Sequence, residues 1–159
     1  MNNLTIKKGS ENYVATVVEI KELYDIPDAQ KIQRCVIFGN NIVVSKDIKI
    51  GDVLLYFVSG TKLNEEYCKR NNLLDKAELN ADVTKRGFIS SRIKAVKLKN
   101  IISDGLLLPI YSLLHFCDIN SFKVGDTFTC INGNTLCEKY ILPQKTSING
   151  ANTPKQINK

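Results

Sequence analysis

The sequence has no tryptophan, and it has only one histidine and one methionine. Its five cysteines are Cys35, Cys68, Cys117, Cys130 and Cys137. They are odd in number and include no C-x-x-C pair, and His115 has no obvious second ligand near it in the sequence. This distribution argues against a zinc site and against a secreted disulfide framework. We therefore predict reduced thiols and an intracellular, cytoplasmic protein.

Long apolar segments are also missing. The first ten residues, MNNLTIKKGS, contain no apolar core of a signal peptide. No segment approaches the roughly 20 apolar residues that a membrane-spanning helix needs. The sequence predicts no membrane partner.

Motifs for catalysis are scarce. Neither a G-x-x-x-x-G-K-[ST] loop nor a G-x-G-x-x-G loop is present. His115 lies in an apolar context, and we interpret it as a packed or boundary residue rather than a general base. Asp25 and Asp28 flank a proline, which a turn explains more simply than a metal site. Cys35 and Cys130 fall in predicted strands as small core residues. We predict no catalytic residue and no metal ligand.

What the sequence does have is a local concentration of positive charge in residues 83–103, the basic strip. Its six cations are Lys85, Arg86, Arg92, Lys94, Lys97 and Lys99. The strip contains no Asp or Glu, so its +6 equals the formal net charge of the whole chain. Such a footprint is typical of nucleic-acid binding. The alternative is a solvated strand whose lysines discourage edge-to-edge aggregation.

The second half of the strip has an alternating pattern that changes phase. Arg92 and Lys94 alternate with apolar residues, and beyond Ala95 it is Val96 and Leu98 that are apolar. A strand with a β-bulge near Ala95 would direct both apolar sets toward one core. A helix is the competing interpretation, and the β-branched content favours the strand.

Further strands are predicted at residues 13–21, 31–38, 42–45, 53–58, 104–110 and 124–131, with the fourth central because it is apolar on both faces. A polar excursion at 61–82 separates this fourth strand from the basic strip, and Asn64 should cap a helix over 65–74 within it. We predict a mainly β fold, a small OB-fold-like barrel with a short helical insertion and extra C-terminal strands. An SH3-like barrel or a small sandwich is the alternative. Residues 1–11 are predicted to be a flexible leader, 12–142 the domain, and 143–159 a tail or truncated linker.

Four segments in order carry a resemblance to a known family: 26–32 (IPDAQKI), 42–57 (from IVV to IKIGDVLLYF), 92–99 (RIKAVKLK) and 102–109 (ISDGLLLP). Together they resemble the N-terminal OB-fold domain of the RNA ligases typified by the Deinococcus and Naegleria enzymes. The resemblance covers roughly residues 13–142. The Pro-Asp-Ala-x-Lys loop alone is more weakly similar to tRNA-binding OB domains.

The resemblance implies a missing partner domain. Ligases of that family carry their chemistry in a nucleotidyltransferase domain, where a lysine of a Lys-x-Asp-Gly-like motif attacks ATP. Here Ser103-Asp104-Gly105 lacks that lysine. We therefore expect an excised domain or a stand-alone relative that cannot self-adenylylate. ATP and Mg²⁺ would belong to the missing domain, in cis or in trans, and no cofactor is expected in this chain.

The predicted function is binding of RNA or of a nicked RNA/DNA duplex. Arg92, Lys94, Lys97 and Lys99 would contact phosphates near a strand break, and Lys85 and Arg86 would reach from the adjoining loop. Candidates for stacking on bases are Tyr56, Phe57 and Phe88, although core packing suits Phe57 better. Two alternatives stay open: a protein-interaction module that docks on a catalytic partner through residues 61–82, and a stand-alone tRNA- or RNA-binding protein.

Overall fold

The computed structural model describes residues 2–90 and 92–142. The predicted tail at 143–159 lies outside the described residues. Within them the strands are β1 (Leu4–Thr5), β2 (Ala15–Glu19), β3 (Leu23–Asp25), β4 (Ile32–Ile37), β5 (Asn40–Ser45), β6 (Val53–Phe57), β7 (Thr61–Leu63), β8 (Val96–Leu98), β9 (Ile101–Ser103), β10 (Leu106–Pro109), β11 (Thr127–Phe128), β12 (Cys130–Ile131), β13 (Asn134–Thr135) and β14 (Cys137–Lys139). The helix α1 spans Glu65–Arg70, and short 3₁₀ turns span Ala77–Leu79 and Ile110–Leu113.

Five chain segments close into a barrel. They are β2 continued by β3, then β4, β5, β6, and β9 continued by β10. Antiparallel pairing joins β3 to β4, β4 to β5, β2 to β6 and β6 to β10. The remaining junction is between β5 and β9, where the Asp104 N–H donates to the Asn41 carbonyl (2.8 Å) and the Val43 N–H to Ser103 Oγ (2.9 Å). Around the barrel the order of segments is therefore first, second, third, fifth, fourth.

Two turns of the same sequence type donate hydrogen bonds to β2 and to the residue after it. Gly51 and Gly125 both adopt left-handed φ angles, 95° and 100°, which a side chain disfavours. In each turn the aspartate after the glycine accepts a hydrogen bond from the lysine N–H three residues earlier, at 2.9 Å. The Gly51 N–H then donates to the Ile20 carbonyl, and the Gly125 N–H to the Val17 carbonyl. The repeated Gly-Asp pattern therefore fixes where the next strand meets β2.

The strand β6 is apolar on both faces because it separates two cores. One face contributes Leu54 and Tyr56 to the barrel interior. The other contributes Leu55 and Phe57 to a larger cluster with the insertion and the C-terminal strands. The prediction of a central fourth strand is confirmed, since β6 lies between β10 and β2. Phe57 is fully buried, which confirms its expected packing role.

The insertion between the fourth and fifth barrel segments is tied to that larger core. Asn64 caps α1 as predicted, because its Oδ1 accepts the Tyr67 N–H at 2.9 Å. Its Nδ2 also donates to the Thr135 carbonyl at 2.8 Å, which links α1 to β13. The predicted end at residue 74 is wrong: α1 ends at Arg70, and Asn72 has a left-handed φ of 58°. The chain turns there so that Leu73 and Leu74 enter the core.

One prediction at the N-terminal end of the domain also needs correction. Part of the expected leader is structured, since β1 pairs with β12 through Leu4↔Ile131 and Thr5↔Cys130. Ser10 is buried, and its Oγ accepts the Lys139 N–H at 3.0 Å. The domain boundary at residue 12 stays a prediction, but residues 4–10 pack against the C-terminal strands.

The predicted bulged strand over 92–99 is wrong in its length and in the face on which Val96 and Leu98 were expected to lie. Only Val96–Leu98 forms a strand, and it pairs with β9 alone. Val96 and Leu98 are exposed, so they do not face a core. Lys99 and Asn100 have φ angles of 49° and 68°, which make a two-residue turn of the type that joins tight hairpins. Lys99 is therefore a turn residue and not part of a strand face.

Candidate nucleic-acid interface

The basic strip is held by two buried isoleucines. Ile89 and Ile93 are almost fully buried in the larger core. On either side of them in the sequence, Lys85, Arg86 and Lys94 are exposed. Burial of the apolar residues therefore forces the cations outward. The backbone at Ile93 is fixed as well, because its N–H donates to the Thr61 carbonyl (2.9 Å) and its carbonyl accepts the Gly60 N–H (2.8 Å).

The loop that carries Lys85 and Arg86 is organised by a buried asparagine. Asn80 Oδ1 accepts the Leu74 N–H at 3.1 Å. Its Nδ2 donates to the carbonyls of Leu74 and Lys85, both at 2.9 Å. Because one side chain satisfies three backbone groups, the loop has a defined shape without a regular helix or strand.

Gly87 lets this loop approach the chain segment before it. Its N–H donates to the Leu74 carbonyl at 2.8 Å, and a Cβ placed there would lie 2.0 Å from the Leu73 carbonyl oxygen. Only glycine fits such a contact. On either side of it, Arg86 is exposed and Phe88 is 69% exposed. The strip therefore exposes an aromatic and a cationic side chain on the two sides of Gly87, a combination that single-stranded nucleic-acid binding uses.

The other cations divide into two groups. Lys97 on β8 and Lys99 in the hairpin turn are exposed. Arg92 is half-buried, with its guanidinium carbon 4.5 Å from the centre of the Tyr140 ring. In the described part of the chain, the ion pairs join other residues, and no strip cation has a carboxylate partner. Five cations thus face solvent, and Arg92 is engaged with the C-terminal segment.

Tyr56 does not belong to this surface. It is only 5% exposed, and its hydroxyl accepts a hydrogen bond from Asn40 Nδ2 at 3.2 Å. Burial raises the pKa of the Tyr56 hydroxyl, while the Asn40 hydrogen bond acts in the opposite direction. The prediction of Tyr56 as a stacking residue is therefore corrected: its ring faces are covered. Its neighbour Phe38 is exposed instead, and the sequence reasoning missed it because residue 38 was predicted to belong to the strand at 31–38.

The outer face of the second and third barrel segments carries a smaller polar cluster. The Arg34 guanidinium lies 4.3 Å from the centre of the Tyr24 ring and donates to Asn41 Oδ1 at 2.9 Å. A second contact joins Lys46 Nζ to Asp25 Oδ1 at 2.5 Å, and it lowers the pKa of the Asp25 carboxyl. These contacts hold side chains in place across β3, β4 and β5.

Groups that could perform chemistry are dispersed. No cluster of three or more His, Cys, Asp or Glu suited to a metal ion occurs among residues 2–90 and 92–142. All five cysteines are free. Burial raises the pKa of the Cys68 and Cys137 thiols to about 12, which disfavours the thiolate. His115 is exposed and not packed as expected, and Cys130 is half-buried.

Within the described ranges, no helix has the length and apolar character to span a membrane.

The comparisons with known proteins agree with the architecture. The model of an OB-fold domain family matches residues 14–110, more than half of the chain. Among curated proteins, none matches the chain. A solved Naegleria gruberi RNA ligase mutant with ATP and Mn is similar at 25% identity and a TM-score of 0.58, over 93% of this chain and 39% of that chain. An apo mutant of the same ligase gives 26% and 0.53, over 81% and 35%.

These likenesses cover only part of the solved proteins, since this chain spans about two fifths of the ligase chain. They confirm the resemblance to the RNA ligase OB-fold domain that four short segments predicted. The matched residues 14–110 include all five barrel segments and the connection between the fourth and fifth, which carries the cations of the basic strip. The chain belongs to the OB-fold domain family, and its OB domain is of the type found in RNA ligases.

Proposed function

We propose that this OB-fold domain binds RNA, or a nicked duplex with RNA at the break, through the basic strip. The observation that carries the proposal is where the strip lies. OB folds bind oligonucleotides with the face of their second and third strands and with the loops that join strands one to two and four to five. All six cations of the strip lie in the connection between the fourth and fifth barrel segments, and Ile89 and Ile93 fix this connection against the core.

The contacts expected from this surface are with phosphates. Lys85, Arg86, Lys94, Lys97 and Lys99 are exposed cations, and such groups position a nucleic acid without reading its sequence. Phe88 would stack on one base and Tyr56 would not, since it is buried. Arg92 has a different task, because its guanidinium stacks on Tyr140. The proposed phosphate-binding set is therefore five cations, one fewer than the sequence suggested.

Catalysis is not part of the proposal for this chain. Ligation would need a nucleotidyltransferase domain, with ATP and Mg²⁺ bound there, either in the same polypeptide or as a partner. The OB domain would hold the nucleic acid while that domain acts. The rival role, docking on a protein through residues 61–82, is less favoured because Tyr67, Leu73 and Leu74 point into this chain's own core.

Removal of charge from the strip tests the proposal. The variant combines Lys94→Glu, Lys97→Glu and Lys99→Asn, the last chosen because asparagine tolerates the left-handed φ at that position. Binding to a labelled nicked RNA/DNA duplex, followed by fluorescence anisotropy, should weaken by more than tenfold, since three phosphate contacts are lost. The melting temperature should be unchanged within a few degrees.

The matched control is Lys8→Glu, Lys21→Glu and Lys123→Asn, which changes the net charge equally at exposed sites outside the strip. It should retain most of the affinity. Equal weakening by both variants would show a diffuse charge effect and reject the strip as the binding surface. No binding by the unaltered chain, together with capture of a nucleotidyltransferase domain, would favour the protein-docking role.

A further inference from the structure

The turn between β4 and β5 places a phenylalanine where the backbone disfavours it. Ile37 pairs with Asn40, so Phe38 and Gly39 are the two turn residues, with φ angles of 50° and 81°. Both positions of such a turn require positive φ, and asparagine, aspartate or glycine is the usual residue. A bulky side chain in this conformation is strained, and strain of this kind accumulates at functional sites.

The Phe38 ring is exposed but not free to lie anywhere. It is 72% exposed, and its centre lies 5.8 Å from that of Tyr56 in an edge-to-face arrangement of 65°. Tyr56 is itself buried and hydrogen-bonded to Asn40, so it forms a fixed support. The contact with Tyr56 covers part of the Phe38 ring and leaves most of its surface exposed to solvent.

Beside the ring lies a shallow cavity of about 280 Å³. Its other lining residues include the apolar Val14 and Val58 and the polar Glu11, Asn12, Thr16 and Asn40. The lining contains no lysine or arginine, and the Glu11 carboxylate accepts the Gly9 N–H at 2.9 Å. The volume suits one ring system, because larger ligands occupy pockets of about 300 to 1,000 Å³. The cavity is also unsuited to a phosphate, since its charge is negative.

We propose that Phe38 and this cavity form a subsite for a single nucleobase of the bound strand, separate from the basic strip. The base would stack on Phe38, and the amides of Asn12 and Asn40 would lie at its polar edge. The inference rests on the proposed nucleic-acid binding and adds where one base is held. It explains why a phenylalanine occupies a position that asparagine would fill with less strain.

The test is the variant Phe38→Asn, with binding and stability measured together. Asparagine relieves the backbone strain, so the melting temperature should rise or stay equal. Loss of the stacking surface should weaken binding to a single-stranded RNA by roughly 5- to 150-fold, the range seen for one stacked base. The dependence of affinity on salt should not change, because no phosphate contact is removed. Tyr111→Ala removes another exposed aromatic and should bind as the unaltered chain does.

A second measurement separates this subsite from the phosphate surface. Millimolar adenosine, which has no phosphate, should shift the backbone NMR signals of Gly39 and Asn40 in the unaltered chain and not in Phe38→Asn. If Phe38→Asn binds RNA normally and adenosine causes no such shifts in the unaltered chain, the subsite is rejected. The proposed function then remains intact. If the unaltered chain binds no RNA, the proposed function fails, and the adenosine shifts alone decide whether the subsite exists.

Discussion

Side chains of the same type have different roles within the basic strip. Arg92 is half-buried against the Tyr140 ring, and its neighbour Ile93 is hydrogen-bonded to Gly60 and Thr61. The Tyr140 N–H also donates to the Gly60 carbonyl at 3.1 Å. Arg92 therefore joins the strip to the segment that leaves β14. Lys97, which is exposed on β8, has no such contact.

This difference gives a prediction for two single variants. Arg92→Ala should lower the free energy of unfolding by about 0.5–1 kcal/mol, because a partly exposed cation–π contact is lost. Lys97→Ala should leave stability within about 0.5 kcal/mol of the unaltered chain. In a salt series, Lys97→Ala should reduce the slope of log affinity against log salt by about one, and Arg92→Ala should reduce it by less. Chemical denaturation and anisotropy measure the two quantities, and the reverse ranking would contradict the assignment.

At the scale of elements, the loop at residues 80–90 depends on contacts that sequence patterns do not show. Gly87 touches the Leu73 carbonyl, and Asn80 satisfies the backbone of Leu74 and Lys85. These are contacts between residues up to 14 positions apart along a segment without periodicity. The loop could be predicted to be basic, but its shape could not.

Gly87→Ala tests this loop. The added Cβ would lie 2.0 Å from the Leu73 carbonyl oxygen, so the loop must move. We expect a loss of about 1–3 kcal/mol in the free energy of unfolding, as for overpacking elsewhere, and weaker RNA binding although every charge is retained. Ser90→Ala is the control in the same loop, since Ser90 is exposed and its replacement should have little effect. An unchanged denaturation midpoint for Gly87→Ala would show that the close contact is not maintained in solution.

The strands were predictable where one side of the chain is buried. Apolar alternation predicted β2, β4 and β6 near their observed bounds. The same reasoning failed at residues 92–99, because Val96 and Leu98 lie on β8, which pairs only with β9 and whose side chains are exposed. Apolar residues there carry no information about which face is inside. The turn at Phe38 was missed for a different reason: a bulky residue is rarely found at positive φ, so nothing in its type predicts a turn.

At the scale of the whole molecule, two connections between barrel segments carry the candidate surfaces. The fourth-to-fifth connection carries the cations of the basic strip, and the second-to-third connection carries Phe38 beside a cavity with a negatively charged wall. Four short segments were enough to predict the OB fold and its resemblance to RNA ligases. They could not predict that the Tyr56 ring is buried or that the Arg92 guanidinium stacks on the Tyr140 ring, because both depend on neighbours distant in the sequence.

The central claim is that exposed cations of the strip bind phosphates, and the salt dependence of binding tests it most directly. We would measure the affinity of the unaltered chain for a nicked duplex with RNA at the break, from low to physiological salt, by fluorescence anisotropy. Two to five phosphate contacts predict a slope of log affinity against log salt between about −2 and −4.5. A slope near zero, or no binding even at low salt, would contradict the account.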